Sequence, residues 1–85
     1  MNFNENFCLS VTDLNNNEHQ VYCFGYDHSV EYIKFVLGMI NNVEKQDIVL
    51  CMNDKELFDC QTFRECNINK NSKIRMYFKL KSGFW

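Results

Sequence analysis

Apolar and polar residues alternate along several stretches of the chain, and this period of two predicts β-strands with one buried face. The alternation runs over residues 7–12 and resumes over residues 19–24. The Asn15-Asn16-Asn17 run between them predicts a turn, because asparagine tolerates left-handed backbone angles. The first two strands are therefore predicted to form a hairpin.

The second strand has two possible inward faces. One choice buries Val21 and Cys23, and the other buries Tyr22 and Phe24. A register shift of one residue exchanges these two sets, so the sequence leaves both open.

A helix is predicted after the hairpin. Ser29 is a suitable N-cap, and Asn41-Asn42 closes the helix. Between them, five apolar residues recur at helical spacing and share one side when wound at about 100° per residue. These residues are Val30, Ile33, Val36, Leu37 and Ile40.

The second half of the chain predicts three more strands, at 48–52, 55–57 and 74–81, with a helical turn or irregular loop at 62–67. The last strand is the clearest, with Ile74, Met76, Phe78 and Leu80 facing inward. This order of elements predicts an α+β fold, a mixed sheet of four to five strands with one helix packed across one face. We expect a single domain over residues 1–85, with a flexible segment at 1–6 and a C-terminal tail at 82–85.

Composition narrows the possible functions. The chain has 85 residues, enough for one small domain. Its net charge of −2 argues against a nucleic-acid binder, and no apolar stretch is long enough to span a bilayer. Five cysteines, an odd number without a Cys-x-x-Cys pair, argue against a disulfide framework or structural zinc. They favour an intracellular location, in the cytoplasm, the nucleus or both.

Catalytic signatures are weak in this sequence. His19 and His28 belong to no motif, and no histidine lies near Cys60 or Cys66 in the sequence. The three glycines are too widely spaced for a phosphate-binding loop. We therefore predict no catalytic residue, no metal site and no cofactor, and expect a protein that is not an enzyme.

The spacing of individual residues resembles that of the ubiquitin superfamily over residues 7–83. The second half follows the ubiquitin pattern without a gap, and the helix start also fits it. The matching residues are Ser29, Val30, Glu31, Ile33, Lys34, Leu37, Lys55, Glu56, Leu57, Asp59, Thr62, Phe63, Asn67, Ile68, Asn69, Lys70, Ser72, Ile74 and Leu80. The resemblance implies a β-grasp fold, the same order of elements that the alternation predicts.

The C-terminal tail departs from the conjugated members of that family, which end in two glycines. Here the tail is Ser82-Gly83-Phe84-Trp85. The resemblance therefore implies a non-conjugated, ubiquitin-like domain. The alternative is a modifier that is processed to end at Gly83. A second alternative is the small splicing-associated ubiquitin-like protein, which residues 48–50 and 77–78 also resemble.

The resemblance also implies a binding surface, because ubiquitin-like folds are usually recognised through the exposed face of the sheet. The outward positions of the matching strands form a patch with an apolar centre and a basic rim. They are Leu14, Val49, Cys51, Arg75, Tyr77 and Lys79. Cys51 stands where ubiquitin has the central isoleucine of this patch, which predicts weaker or altered binding to general ubiquitin receptors.

The helix predicts a second contact surface. With the apolar stripe facing the sheet, Phe35 points away from it, and Tyr32 and Met39 flank Phe35 at a spacing of three and four. This face is expected to contact a receptor, a neighbouring domain or a second copy of the chain. A rotated helix, with some of these residues in the core, is the alternative.

From these observations, we predict a non-catalytic protein-interaction module. The expected partners are proteins: ubiquitin receptors, proteasome subunits or a neighbouring domain of a larger chain. No nucleic-acid or membrane partner is expected.

Overall fold

The computed structural model describes residues 6–25 and 27–79. The elements occur in the predicted order. The strands and helices are β1 (Asn6–Thr12), β2 (Glu18–Phe24), α1 (Val30–Asn41), β3 (Ile48–Met52), β4 (Lys55–Leu57), α2 (Phe63–Cys66) and β5 (Lys73–Phe78), with a 3₁₀ turn at Lys45–Asp47.

The strands form one mixed sheet in the order β2-β1-β5-β3-β4. β1 and β5 run parallel in the middle of the sheet, and the other neighbouring strands are antiparallel. The core lies between the sheet and α1, since inward residues of every strand are buried with the inner side of the helix. The predicted α+β architecture is thus confirmed, with five strands in the described part of the chain.

The hairpin turn is held by one carboxylate. Asp13 Oδ1 accepts hydrogen bonds from the backbone N–H groups of Asn15 and Asn17, at 2.8 and 3.0 Å. Asn16 takes the left-handed conformation with φ of 64°, as the asparagine run predicts. The turn therefore fixes the register of β1 and β2 through a side chain in addition to the strand ladder.

The structure selects one of the two possible faces of β2. Val21 and Cys23 are fully buried, whereas Tyr22 and Phe24 are 49% and 61% exposed. The register pairs Leu9 with Val21, so the two strands of the hairpin present their apolar sides to the same core.

The buried side of α1 differs from the predicted stripe. It comprises Val30, Ile33, Lys34, Leu37 and Gly38. Ile40, predicted to face the sheet, is 54% exposed, and Val36 is only half-buried. The helix is therefore rotated toward its Lys34–Gly38 side.

Two contacts explain this rotation of α1. The Lys34 ammonium lies 2.7 Å from the Asp59 carboxylate, so a charged side chain can be buried on this side. Gly38 allows the chain after the helix to pass close to it, because a Cβ at this position would lie 2.5 Å from the carbonyl oxygen of Val43. The first contact brings in a residue distant in sequence, and the second involves the segment directly after the helix.

The segment at 62–67 contains a short helix. The Thr62 side chain accepts from the Glu65 N–H while the Glu65 carboxylate accepts from the Thr62 N–H, a reciprocal capping box. Asn67 ends α2 in the left-handed conformation. Phe63, the first residue of α2, is fully buried in the core.

The ends of the domain differ in detail from the sequence prediction. Asn6, expected in a flexible segment, is the first residue of β1. β5 ends at Phe78, which was predicted to be buried but is 39% exposed because it lies at the end of its strand. Residues 1–5, the predicted inward Leu80 and the tail at 82–85 lie outside the described residues.

Candidate functional site

The candidate site is the face of the sheet opposite α1. Alternation along β3 and β5 places the outward residues in register, because the two strands are antiparallel neighbours. Val49 pairs with Tyr77, and Cys51 pairs with Arg75. Side chains of directly opposed residues lie about 5 Å apart at Cβ, so these four residues form one continuous patch.

Burial within this patch is graded. Val49, Cys51 and Tyr77 are half-buried, and Arg75 is exposed. Lys79, just beyond β5, is also exposed, and its backbone N–H donates to the Asp47 carbonyl at 2.7 Å. The patch thus combines a partly apolar centre with cationic side chains, as the sequence predicts.

Leu14 lies at the tip of the hairpin turn and is 67% exposed. It follows the end of β1, and Thr12 of that strand pairs with Arg75 of β5. Since β1 and β5 are parallel, the chain leaves β1 toward the end of β5 that carries Tyr77. The topology therefore places Leu14 beyond the end of β1, toward the part of the sheet that contains the Val49–Tyr77 pair.

Sequence reasoning missed two neighbours of this patch. Thr12 lies beside Arg75, and Glu56 of β4 lies opposite Cys51. Alternation marks both residues as outward-facing, but only the strand order shows that β1 lies beside β5 and that β4 lies beside β3. Glu56 gives the otherwise basic rim one acidic member.

The surroundings of Cys51, at the centre of the patch, favour the protonated thiol over the thiolate. Burial is the main cause that raises the pKa of Cys51, and the carboxylates of Glu56 and Asp54 raise it further. A nucleophilic cysteine needs the opposite shift, toward the thiolate. The geometry therefore suits Cys51 to packing and contact.

The predicted helix surface is only partly as expected. Phe35 and Met39 are 52% and 63% exposed, and they border a shallow groove against the segment that follows α1. Tyr32 does not share this surface, because it is half-buried and packs against the core. Its hydroxyl donates to the carbonyl oxygen of Tyr22 at 2.8 Å.

Cys66 is half-buried and packs against the core cluster. Lys55 and Lys70, two of the residues that carry the resemblance, are both exposed. Gly83, the possible conjugation terminus, lies outside the described residues.

Within residues 6–25 and 27–79, no three histidine, cysteine or acidic side chains are grouped as a metal site. Among the described helices, none has the length and apolar character needed to cross a membrane.

The hairpin, the long helix α1 and the return to a central parallel strand define a β-grasp fold of the ubiquitin type. A similar solved structure is the solution structure of the N-terminal ubiquitin-like domain in the 4931431F19Rik protein. Its TM-score is 0.80, at 18% sequence identity, over 94% of this chain and 81% of that chain. At this identity the likeness shows the fold, and the ubiquitin-like fold expected from the sequence is confirmed. No protein-family model matches the chain, and no curated protein matches it.

Proposed function

We propose that this chain is a non-catalytic ubiquitin-like module that binds a partner protein through the uncovered face of its sheet. The observation that carries the proposal is the register of β3 and β5, in which Val49 lies beside Tyr77 and Cys51 beside Arg75. A tyrosine offers a large apolar area and a hydroxyl together, a combination that is frequent among binding hot spots.

The chemistry of the patch favours partners with an apolar anchor and acidic neighbours. Arg75 and Lys79 are exposed beside Tyr77 and can attract carboxylates during association. We propose ubiquitin receptors, proteasome subunits or a neighbouring domain of a larger chain as this partner. Because Cys51 is smaller than a branched aliphatic side chain, binding to general ubiquitin receptors should be weak.

The test is a binding titration of the isolated domain against purified ubiquitin-receptor domains and purified proteasome. Tyr77→Ala should weaken binding about thirtyfold, the effect of losing a hot-spot side chain. Tyr22→Ala is the matched control, because Tyr22 is also an outward tyrosine of the same sheet but lies on the edge strand β2. Equal effects of the two variants, or no binding by the wild type, would reject the proposal.

We also propose that the module acts without being conjugated. The support comes from the sequence, since Ser82-Gly83 follows Lys81 at the position where the conjugated family members carry two glycines. The domain should form no thioester when incubated with ubiquitin-activating enzymes and ATP. A thioester formed after removal of Phe84-Trp85 would instead support a modifier ending at Gly83.

A weaker, second contact is proposed for the helix surface formed by Phe35 and Met39. Two exposed large apolar side chains at helical spacing can support self-association or docking of a neighbouring domain. Sedimentation of the wild type and of a Phe35→Ser/Met39→Ser variant should differ at high concentration. Identical monomeric behaviour of both proteins would remove self-association from the proposal.

We place this activity inside the cell, in the cytoplasm or nucleus. All five cysteines belong to the described residues, and each is a free thiol in the structure. Free thiols are typical of reducing compartments. Localisation of the tagged full-length protein by fluorescence would test this proposal.

A further inference from the structure

Two side chains close the open edge of β2 near its C-terminal end. β2 is an edge strand, so backbone groups that do not face β1 have no strand partner. The Tyr22 carbonyl accepts from the Tyr32 hydroxyl at 2.8 Å, and the Phe24 N–H donates to His28 Nε2 at 3.1 Å. Side chains thus replace the missing strand at these two backbone groups.

The two closing side chains also support each other. The imidazole of His28 stacks on the ring of Tyr32, with ring centroids 4.3 Å apart and an interplanar angle of 17°. The backbone of His28 is fixed as well, because its carbonyl accepts from the Phe63 N–H at 2.9 Å. His28, Tyr32 and the end of β2 therefore form one connected unit, which we name the edge clamp.

The chemistry of the edge clamp requires a neutral imidazole. Nε2 can accept the Phe24 N–H only while it keeps its lone pair, which places the ring hydrogen on Nδ1. Protonation turns both ring nitrogens into donors, so the Phe24 N–H and the imidazolium would face each other as two donors. We propose that the edge clamp is a pH-sensitive device, in which protonation of His28 releases the end of β2 from its side-chain cover.

Besides His28, the ionisable groups at the edge clamp include those of Asp27, Tyr32 and Cys23. Asp27, beside it in the loop, is paired with Arg64 of α2 at 2.8 Å, so its charge is balanced locally. Burial raises the pKa of the Tyr32 hydroxyl, with a smaller contribution from Cys23, and burial raises the pKa of Cys23 to about 12. The Tyr32 hydroxyl and the Cys23 thiol therefore stay protonated from neutral to mildly acidic pH.

The direction of the pH effect follows from the hydrogen bond. The hydrogen bond from the Phe24 N–H forms only with the neutral imidazole of His28. The stability that this hydrogen bond contributes is therefore present at neutral pH and is lost as the pH falls. Imidazoles ordinarily take up a proton near about pH 6.5. Release would uncover the Phe24 N–H on a sheet edge, a group that can pair with another extended chain.

Amide hydrogen exchange followed by NMR tests the proposal on the intact protein. After correction for intrinsic exchange, protection of the Phe24 amide should fall about fivefold or more between about pH 7.5 and about pH 5, the effect of one lost hydrogen bond. The Val21 amide is an internal control, because Val21 lies in the ladder with Leu9. Constant protection of Phe24 over this range would overturn the proposal without any variant.

Two matched variants assign the effect to one histidine. His28→Gln offers an amide oxygen that accepts a hydrogen bond and does not titrate, so Phe24 protection should become independent of pH. His19→Gln changes the other histidine, at the opposite end of β2, and should leave the fivefold loss intact. Persistence of the loss in His28→Gln, or its disappearance in His19→Gln, would refute the assignment to His28.

Discussion

The buried ammonium of Lys34 allows a quantitative test of how α1 is held against the rest of the domain. Lys34 is 8% exposed, and its ammonium lies 2.7 Å from the carboxylate of Asp59, whose side chain is 51% exposed. The pair is therefore asymmetric, with one charge inside the protein and the other partly in water. Replacing Asp59 by asparagine leaves the inner charge without its counter-ion.

The loss in the free energy of unfolding that we expect for Asp59→Asn lies between two limits. Breaking a fully buried ion pair from one side costs about 3–5 kcal/mol, whereas an exposed pair contributes about 0–1 kcal/mol. Because solvent screens one half of this pair, Asp59→Asn should reduce the free energy of unfolding by about 2 kcal/mol. For a domain of this size, this corresponds to a fall in Tm of roughly 10 °C.

This loss of stability should be avoided when the buried charge of Lys34 is itself removed. Lys34→Met keeps an apolar chain of similar length and should change stability by less than about 1 kcal/mol. In the Lys34→Met background, Asp59→Asn should then be almost neutral, because no buried cation remains to be left unpaired. The three variants form a double-mutant cycle that isolates the pair.

Urea unfolding followed by circular dichroism measures these differences. Asp27→Asn is the matched control, since Asp27 pairs with Arg64 at the surface, with side chains 77% and 51% exposed. The reasoning is refuted if Asp59→Asn costs no more than Asp27→Asn. It is equally refuted if the double variant is as unstable as Asp59→Asn alone.

Three further outcomes are expected. The His19 hydrogen bond and two backbone N–H groups lower the pKa of Asp13 against an opposing effect of burial. The Asp13 carboxylate therefore stabilises the fold fully above its ordinary pKa of 3.8, and this stabilisation is lost as the pH falls further. Asp13→Asn should be less stable than wild type at pH 7, and the difference should disappear in unfolding curves measured in acid. Gly38→Ala should lower Tm, because the added Cβ would clash with the Val43 carbonyl oxygen. The cost of such overpacking, about 1–3 kcal/mol, exceeds the gain of about 1 kcal/mol from the higher helix propensity of alanine. A raised Tm would contradict this. Iodoacetamide should label exposed Cys8 faster than Cys51, whose pKa is raised, and equal rates by mass spectrometry would count against the burial of Cys51.

Local patterns were sufficient to predict the elements of this fold. Alternation over residues 7–12 corresponds to β1, and Ser29 precedes the first residue of α1 as its N-cap. The positions of both features follow from neighbours in sequence, through periodicity and the residue preference at helix starts, although the Ser29 side chain makes no cap hydrogen bond. The same reasoning located the outward residues Val49 and Tyr77, because side chains of a strand alternate between its two faces.

Contacts between distant segments decided what local patterns could not. Tyr32 was expected on an exposed helix surface, but its ring stacks on His28 and its hydroxyl reaches the backbone of β2. Ile40 was expected inside, but Lys34 occupies the buried side instead because Asp59 lies there to pair with it. A helical wheel contains neither partner, so it could not predict the rotation of α1.

The sequence by itself determined the number, order and inward faces of most elements of this protein, since those features follow from the period of its apolar residues and from residues that favour turns and caps. Only the tertiary structure decided which side of β2 is buried, how α1 is rotated, and which outward residues become neighbours across β5. The physical reason is that burying a side chain takes two segments, one that carries the side chain and one that covers it. A residue's apolar character states that it can be buried, but the surface that covers it comes from another part of the chain.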